Sequence, residues 1–190
     1  MIVFDIETDG LNPSKIHCLS YTSDGVEHNT LTDYEDMRQL LSNQKGLIGH
    51  NIVRYDVPVL ERILGIKIKA RLYDTLPMSW VMNYDRTKPH GLASFGEDFG
   101  IPKPVVTDWS EQPVEVYVHR CEEDIKINWK LWQNLLKRFM FVYKDKKNLD
   151  KFFGYLSFKM NCAYVAEHVG WKLDVDLAES SIEKLKEQQD

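Results

Sequence analysis

A chain of 190 residues that is 43% hydrophobic and 28% charged has the composition of a folded globular domain, which excludes a disordered or low-complexity chain. No apolar run approaches the roughly 18 residues of a membrane span, and Asp5 and Glu7 interrupt the first apolar stretch, so no secretory signal is expected. The net charge of −5 gives no overall basic footprint, so contact with nucleic acid has to rest on local charge.

Met1 to Phe4 is a short apolar run ending at Asp5, the pattern of a buried strand with acid at its C-terminal end. Asn12-Pro13-Ser14 is a turn. Ile16 to Thr22 reads as a second strand, Ser23-Asp24-Gly25 as a hairpin signal and Val26 to Thr30 as a third strand. These three make an antiparallel meander. Asp33 caps a helix over Tyr34 to Leu41, with Met37, Leu40 and Leu41 as its apolar face. Gly46 to Gly49 is a short strand. A helix follows over Asp56 to Leu64, with Val57, Leu60, Ile63 and Leu64 at helical spacing. Pro58 sits in its first turn, where a missing N–H costs little. Leu72-Tyr73 is a last short strand, and Asp74 caps a helix through about Val81. A strand–helix–strand unit implies parallel pairing, so the sheet is mixed and the class is α/β.

Residues 83–113 read as loop around a short helix over Leu92 to Phe99. Val114 to Phe141 is a long helical pattern, and Leu149 to Val169 is another, stopped by Gly170. Asp174 or Asp176 caps a last helix that has little to bury. The expected division is a domain over 1–145 and a helical extension over 146–190. Two basic clusters, Arg62 with Lys67, Lys69 and Arg71, and Lys137 with Arg138, Lys144, Lys146, Lys147 and Lys151, read as solvated faces when taken alone. Cys18, Cys121 and Cys162 are odd in number and widely spaced, which suggests neither a disulfide framework nor a thiolate metal site and fits a reducing, cytoplasmic setting.

Four acids at three places in the chain carry the candidate chemistry. Asp5 and Glu7 stand two apart on a strand, so both carboxylates point to one side. Two such charges repel unless a cation lies between them, and hard divalent cations prefer carboxylate oxygens. The bland alternative is a frayed strand end with solvated acids. Asp56 follows His50-Asn51 and Tyr55 at a helix start, where an N-cap is the ordinary reading. Asp124 lies in the long helical pattern beside Ile125 and Ile127. It is either an exposed helix acid or a buried one that requires a partner.

Taken in order, Phe4-Asp5-Ile6-Glu7-Thr8, His50-Asn51-Ile52-Val53-Arg54-Tyr55-Asp56 and His119-Arg120-Cys121-Glu122-Glu123-Asp124 resemble the three motifs of the DEDD exonuclease superfamily. More narrowly, the chain resembles the proofreading domain of family A DNA polymerases of the short-tailed-phage type. That likeness extends to Met1-Ile2-Val3, to the spelling Tyr55-Asp56-Val57-Pro58, to Asp74-Thr75-Leu76, to the stretch from His90 to Gly100, and to Leu173-Asp174 after Gly170. One position departs from it. Those polymerases carry Tyr four residues before the last Asp, where this chain has Arg120. His119, five residues before it, matches the DEDDh branch, and Tyr117 is too far upstream to substitute.

The resemblance implies a ribonuclease H-like fold, with a mixed sheet flanked by helices. It implies two divalent ions, Mg²⁺ or Mn²⁺, held by Asp5, Glu7, Asp56 and Asp124, with His119 as general base. It places the Thr8 backbone and the Leu11 side chain against the last two bases, and Asn51 and Tyr55 at the terminal phosphates. For Leu11 the bland reading is loop core. The implied partner is a single-stranded DNA 3′ end, with a polymerase domain in cis or in trans and no membrane. Two other readings stay open: a DEDDh enzyme that trims RNA ends, and an inactive nucleic-acid-binding module.

Overall fold

The computed structural model describes residues 1–104 and 112–188. Its elements in chain order are β1 (Ile2–Thr8), β2 (Ile16–Thr22), β3 (Asn29–Leu31), α1 (Tyr34–Ser42), β4 (Gly46–Gly49), α2 (Asp56–Leu64), β5 (Arg71–Asp74), α3 (Thr75–Met82), α4 (Leu92–Phe99), α5 (Val114–Tyr143), α6 (Lys146–Val169) and α7 (Val175–Glu187). The strands form one sheet in the order β3-β2-β1-β4-β5. The β1–β2 and β2–β3 pairs are antiparallel, and the β1–β4 and β4–β5 pairs are parallel. The α2 crossover between β4 and β5 gives their parallel pairing, as the pattern predicts.

Several boundaries differ from the sequence expectation by one to three residues, among them α6, which starts at Lys146 rather than Leu149, and two in the sheet have a clear cause. β1 does not end at Asp5 but runs to Thr8, so Asp5 and Glu7 are strand residues opposite Ser20 and Cys18 of β2. The polar pair looks like a strand end only because its cover comes from α5, far along the chain. β3 is shorter than expected and starts at Asn29, because Asp24 folds the preceding turn back by accepting from the Val26 and Glu27 N–H groups at 2.8 and 3.0 Å.

The pleat sorts β1 into two faces. Ile2, Phe4 and Ile6 pack with Met37 and Leu41 of α1 and Leu60 of α2. Val3 points the other way and packs with residues of α3, α4 and α5, including Met78, Leu92 and Ile125. Asp5 and Glu7 share the side of Val3 by the two-residue period, so they emerge beneath α5. The β5 edge is covered by α6: Phe153 and Leu156 join the α5 core, and Ser157 Oγ donates to the Leu72 carbonyl at 2.9 Å. Beyond Met160, α6 and α7 contain no buried residue among those described. No described helix is long and apolar enough to cross a membrane.

Candidate metal centre

The site forms where β1, the loop before α2, and α5 meet. Asp5, Glu7, Asn51, Tyr55, Asp56 and Asp124 line one cavity of about 230 Å³, joined by His50, Lys103 and Arg120. Among the described residues, Asp5, Glu7 and Asp124 each offer a carboxylate oxygen within 4.8 Å of the other two. This convergence follows from local geometry. The β1 pleat aims Asp5 and Glu7 together, and Asp124 lies on the α5 face that also buries Tyr117, Cys121, Ile125 and Asn128. Asp56 faces the same cavity from the first turn of α2, where it is buried.

The loop into α2 is set by a fifth acid, outside the cavity lining. Asp74 is buried, and its carboxylate accepts from the backbone N–H groups of Asn51 at 2.8 Å, Val53 at 3.2 Å and Leu76 at 3.0 Å. It therefore caps α3 and at the same time holds Asn51 at φ 65°, a left-handed conformation that asparagine tolerates. At Gly49 a Cβ would stand 2.1 Å from Ile52 Cγ2, so glycine alone permits the tight approach of this loop.

Burial dominates the electrostatics. It raises Asp5 well above the carboxylate range, and the charges of Asp124, Asp56 and Glu7 add to the effect. Burial pushes Glu7 up to about 7 against the opposing pull of Arg120. Asp56 is pushed up to about 8 by burial, with Asp74 and Glu7 contributing. Asp124 is raised by burial against the pull of Lys103. Four carboxylates so placed are costly as bare anions and suited to hold a hard divalent cation. The donor set fits such an ion, and Asp124 Oδ1 is a buried oxygen without a hydrogen-bond partner.

Cations already enter the cluster. Lys103 Nζ lies 2.5 Å from Asp124 Oδ2, and Arg120 Nε lies 3.0 Å from Glu7 Oε1. Arg120 also donates to the Pro104 carbonyl, which ties the Lys103 segment to α5. Cys121 Sγ donates to the Asp5 carbonyl at 3.2 Å, fixing β1 from below. No motif picks out Lys103 or Cys121. Arg120, at the position where the resembled motif has tyrosine, stands four residues before Asp124 and so on the same helical face.

The remaining predicted residues divide. Thr8 is buried, its Oγ1 donates to the Gly10 carbonyl at 3.1 Å, and it lies 2.6 Å from the Tyr55 hydroxyl. Tyr55 in turn donates to Gly10 O at 2.6 Å. Thr8, Leu11 and Tyr55 line a neighbouring, mainly apolar cavity of about 310 Å³ that shares Glu7 and Ile6 with the acidic one. Leu11 is 94% exposed at its rim, which removes the loop-core reading. His119 is exposed and does not line the acidic cavity. It sits inside the continuous helix α5, where five residues turn a side chain about 140° from Asp124. Tyr117 is buried, accepts from the Gln112 N–H at 3.1 Å and stacks on His17 with ring centroids 3.9 Å apart. In the first basic cluster, Arg62 donates to Pro13 O, Lys67 pairs with Glu61 and Arg71 pairs with Asp150.

No protein-family model matches the chain, and no curated protein matches its sequence. Solved structures do match. Brucella melitensis NrnC bound to pGG superposes with a TM-score of 0.67 at 19% identity, over 90% of this chain and 85% of that one. The same protein with bound Mg²⁺ gives 0.65 at 17% identity, over 91% and 89%. Escherichia coli RNase D, an exoribonuclease involved in structured RNA processing, gives 0.59 at 17% identity, over 84% of this chain and 44% of that one. The family B DNA polymerase of Pyrobaculum calidifontis gives 0.58 at 13% identity, over 73% of this chain and 25% of that one. At these identities the likeness establishes the fold: a ribonuclease H-like mixed sheet flanked by helices.

Proposed function

We propose that this chain is a metal-dependent 3′→5′ exonuclease that removes nucleoside 5′-monophosphates from single-stranded or frayed DNA ends. One observation carries the reading: Asp5, Glu7 and Asp124 converge within 4.8 Å, with Asp56 on the wall of the same cavity. Asp5, Glu7 and Asp124 would hold one divalent ion, Mg²⁺ or Mn²⁺, and Asp56 with Asp5 a second. Such ions, when bound, supply an activated water and charge for the displaced oxygen. The presence of Mg²⁺ in the matched NrnC supports the metal class.

The chain's own groups would do the rest. Asn51 and Tyr55 flank the carboxylates and are assigned to the terminal phosphates. The apolar cavity beside Thr8 is suited to the last bases, with Leu11 at its rim as the wedge that keeps them unpaired. Motif spacing gives the water proton to His119. From its exposed place on α5 this transfer needs an intervening water or a turn of the helix's first residues.

A proofreading role for a phage-type polymerase follows the resemblance of nearly the whole chain. The likeness to part of a family B DNA polymerase supports the pairing of this fold with a polymerase. RNA trimming is the second reading, favoured by the likeness to RNase D. Matched DNA and RNA single strands labelled at the 3′ end test both. Labelled mononucleotide should be released with Mg²⁺ or Mn²⁺ and not with EDTA, and faster from DNA. Faster release from RNA selects the second reading, and intact label on both strands with both metals sinks the enzyme.

A further inference from the structure

A phosphodiester entering this cavity meets four carboxylates, and an anion needs positive charge to approach them. Among the described residues lining the cavity, Lys103 and Arg120 are the only cations. His50 contributes none, since burial lowers it to about 3 and keeps the ring neutral. The two cations are differently held. Arg120 is held by Glu7 and by the Pro104 carbonyl, and so links β1, α5 and the 102–104 segment. Lys103 stands between Pro102 and Pro104, which restrict the backbone on either side, and reaches the cluster only through its long side chain. Its ammonium is a point charge on a flexible stem with three donors. Asp124, its partner, belongs to the carboxylate set that fits a divalent ion.

We propose that Lys103 is the phosphate-binding residue of this site, passing from Asp124 to a nonbridging phosphate oxygen when a divalent ion takes the carboxylate, and that Arg120 is the positioning residue that holds Glu7 and the Lys103 segment in place. The proposal rests on the nuclease reading above and adds two residues outside the acidic motifs to it. It also gives a role to the arginine that stands where the polymerase-type motif has tyrosine.

Opposite shifts in two affinities test it. Titration calorimetry would measure Mn²⁺ binding, and separately the binding of deoxythymidine 5′-monophosphate with Ca²⁺ saturating. Lys103→Gln should tighten Mn²⁺ several-fold, because a competing cation is gone. It should weaken the monophosphate by about 10-fold or more, the worth of a hydrogen bond to a charged group. Lys103→Arg should retain most of the monophosphate affinity. Arg120→Gln should weaken the monophosphate and lower kcat together, with partial rescue by Arg120→Lys. If Lys103→Gln leaves monophosphate binding unchanged, or weakens Mn²⁺, the proposal falls while the nuclease reading stands. Wild-type protein that binds no Mn²⁺ sinks both. Lys103 lies on a loop, so its variants keep the test decisive if Arg120→Gln fails to fold.

Discussion

Two regions of this molecule break the usual rule of apolar inside and charged outside, and they break it in opposite directions. Around β1, the start of α2 and the middle of α5, acids are buried. Along α7 and the segment before it, Trp171, Leu173, Leu177, Ile182 and Leu185 are exposed. The difference lies in convergence. Asp5, Glu7 and Asp124 meet within 4.8 Å and are raised chiefly by desolvation, a cost that a divalent ion offsets. The exposed apolar side chains join none of the buried clusters formed by the described residues. A violation that gathers donor atoms around one volume specifies a ligand chemistry, and a spread one does not.

The largest expected effect lies at the acidic end. Asp5→Ala should lower exonuclease activity by about 10³-fold or more, because it removes a metal ligand. Thermal unfolding in EDTA should show no loss of stability, since a buried charge is also removed. An active Asp5→Ala would erase the contrast and leave the acids as surface chemistry. His119→Ala comes next, with a loss of about 10²-fold if it takes the proton. A variant with wild-type kcat would remove His119 from the mechanism and sharpen the boundary of the site.

Acidity gives a third test. Glu7 is raised to about 7, Asp56 to about 8 and Asp74 to about 6. Each folded-state value lies above the unfolded one, near 4. Protonation therefore favours the fold, and that stability is full below about 4 and is lost as pH rises through the folded values. In EDTA, Tm should fall from pH 5 to pH 8 on this account, and saturating Mn²⁺ should flatten the slope by compensating the charges. A flat profile in EDTA would mean that the acids are solvated. Leu11→Ala should raise KM for single-stranded ends by a few-fold with kcat and Tm unchanged, roughly the worth of one base–apolar contact. An unchanged KM would remove the wedge. The smallest effect belongs to the other region: Ile182→Ser should change stability by no more than about 0.5 kcal/mol, as at an ordinary surface position. A cooperative loss of Tm would show that α7 is packed after all.

Much of the fold is legible because the chain punctuates it. The strand Gly46–Gly49 and the helices Asp56–Leu64 and Leu92–Phe99 lie where pattern and glycine or acid boundaries put them. Read from sequence, β1 stops too early, because polar residues in a strand resemble its end when their cover comes from a helix more than a hundred residues away. The acidic half of the site is legible for a similar reason: a two-residue period and ordered motifs constrain where Asp5, Glu7 and Asp124 can point. Lys103 carries no such signal. A lysine between two prolines reads as loop, and no periodicity tells which way a loop residue faces. His119 shows the limit of spacing, since five residues bring a side chain to the same place only where the backbone departs from a regular helix.

Binding of Mn²⁺ in the absence of nucleic acid tests the central claim most directly, measured by titration calorimetry on wild-type protein and on Asp5→Ala. Saturable binding by the wild type that is lost in the variant is the predicted result. A wild type that binds no ion, or an Asp5→Ala variant that binds as tightly, would contradict the assignment of these carboxylates as a metal centre.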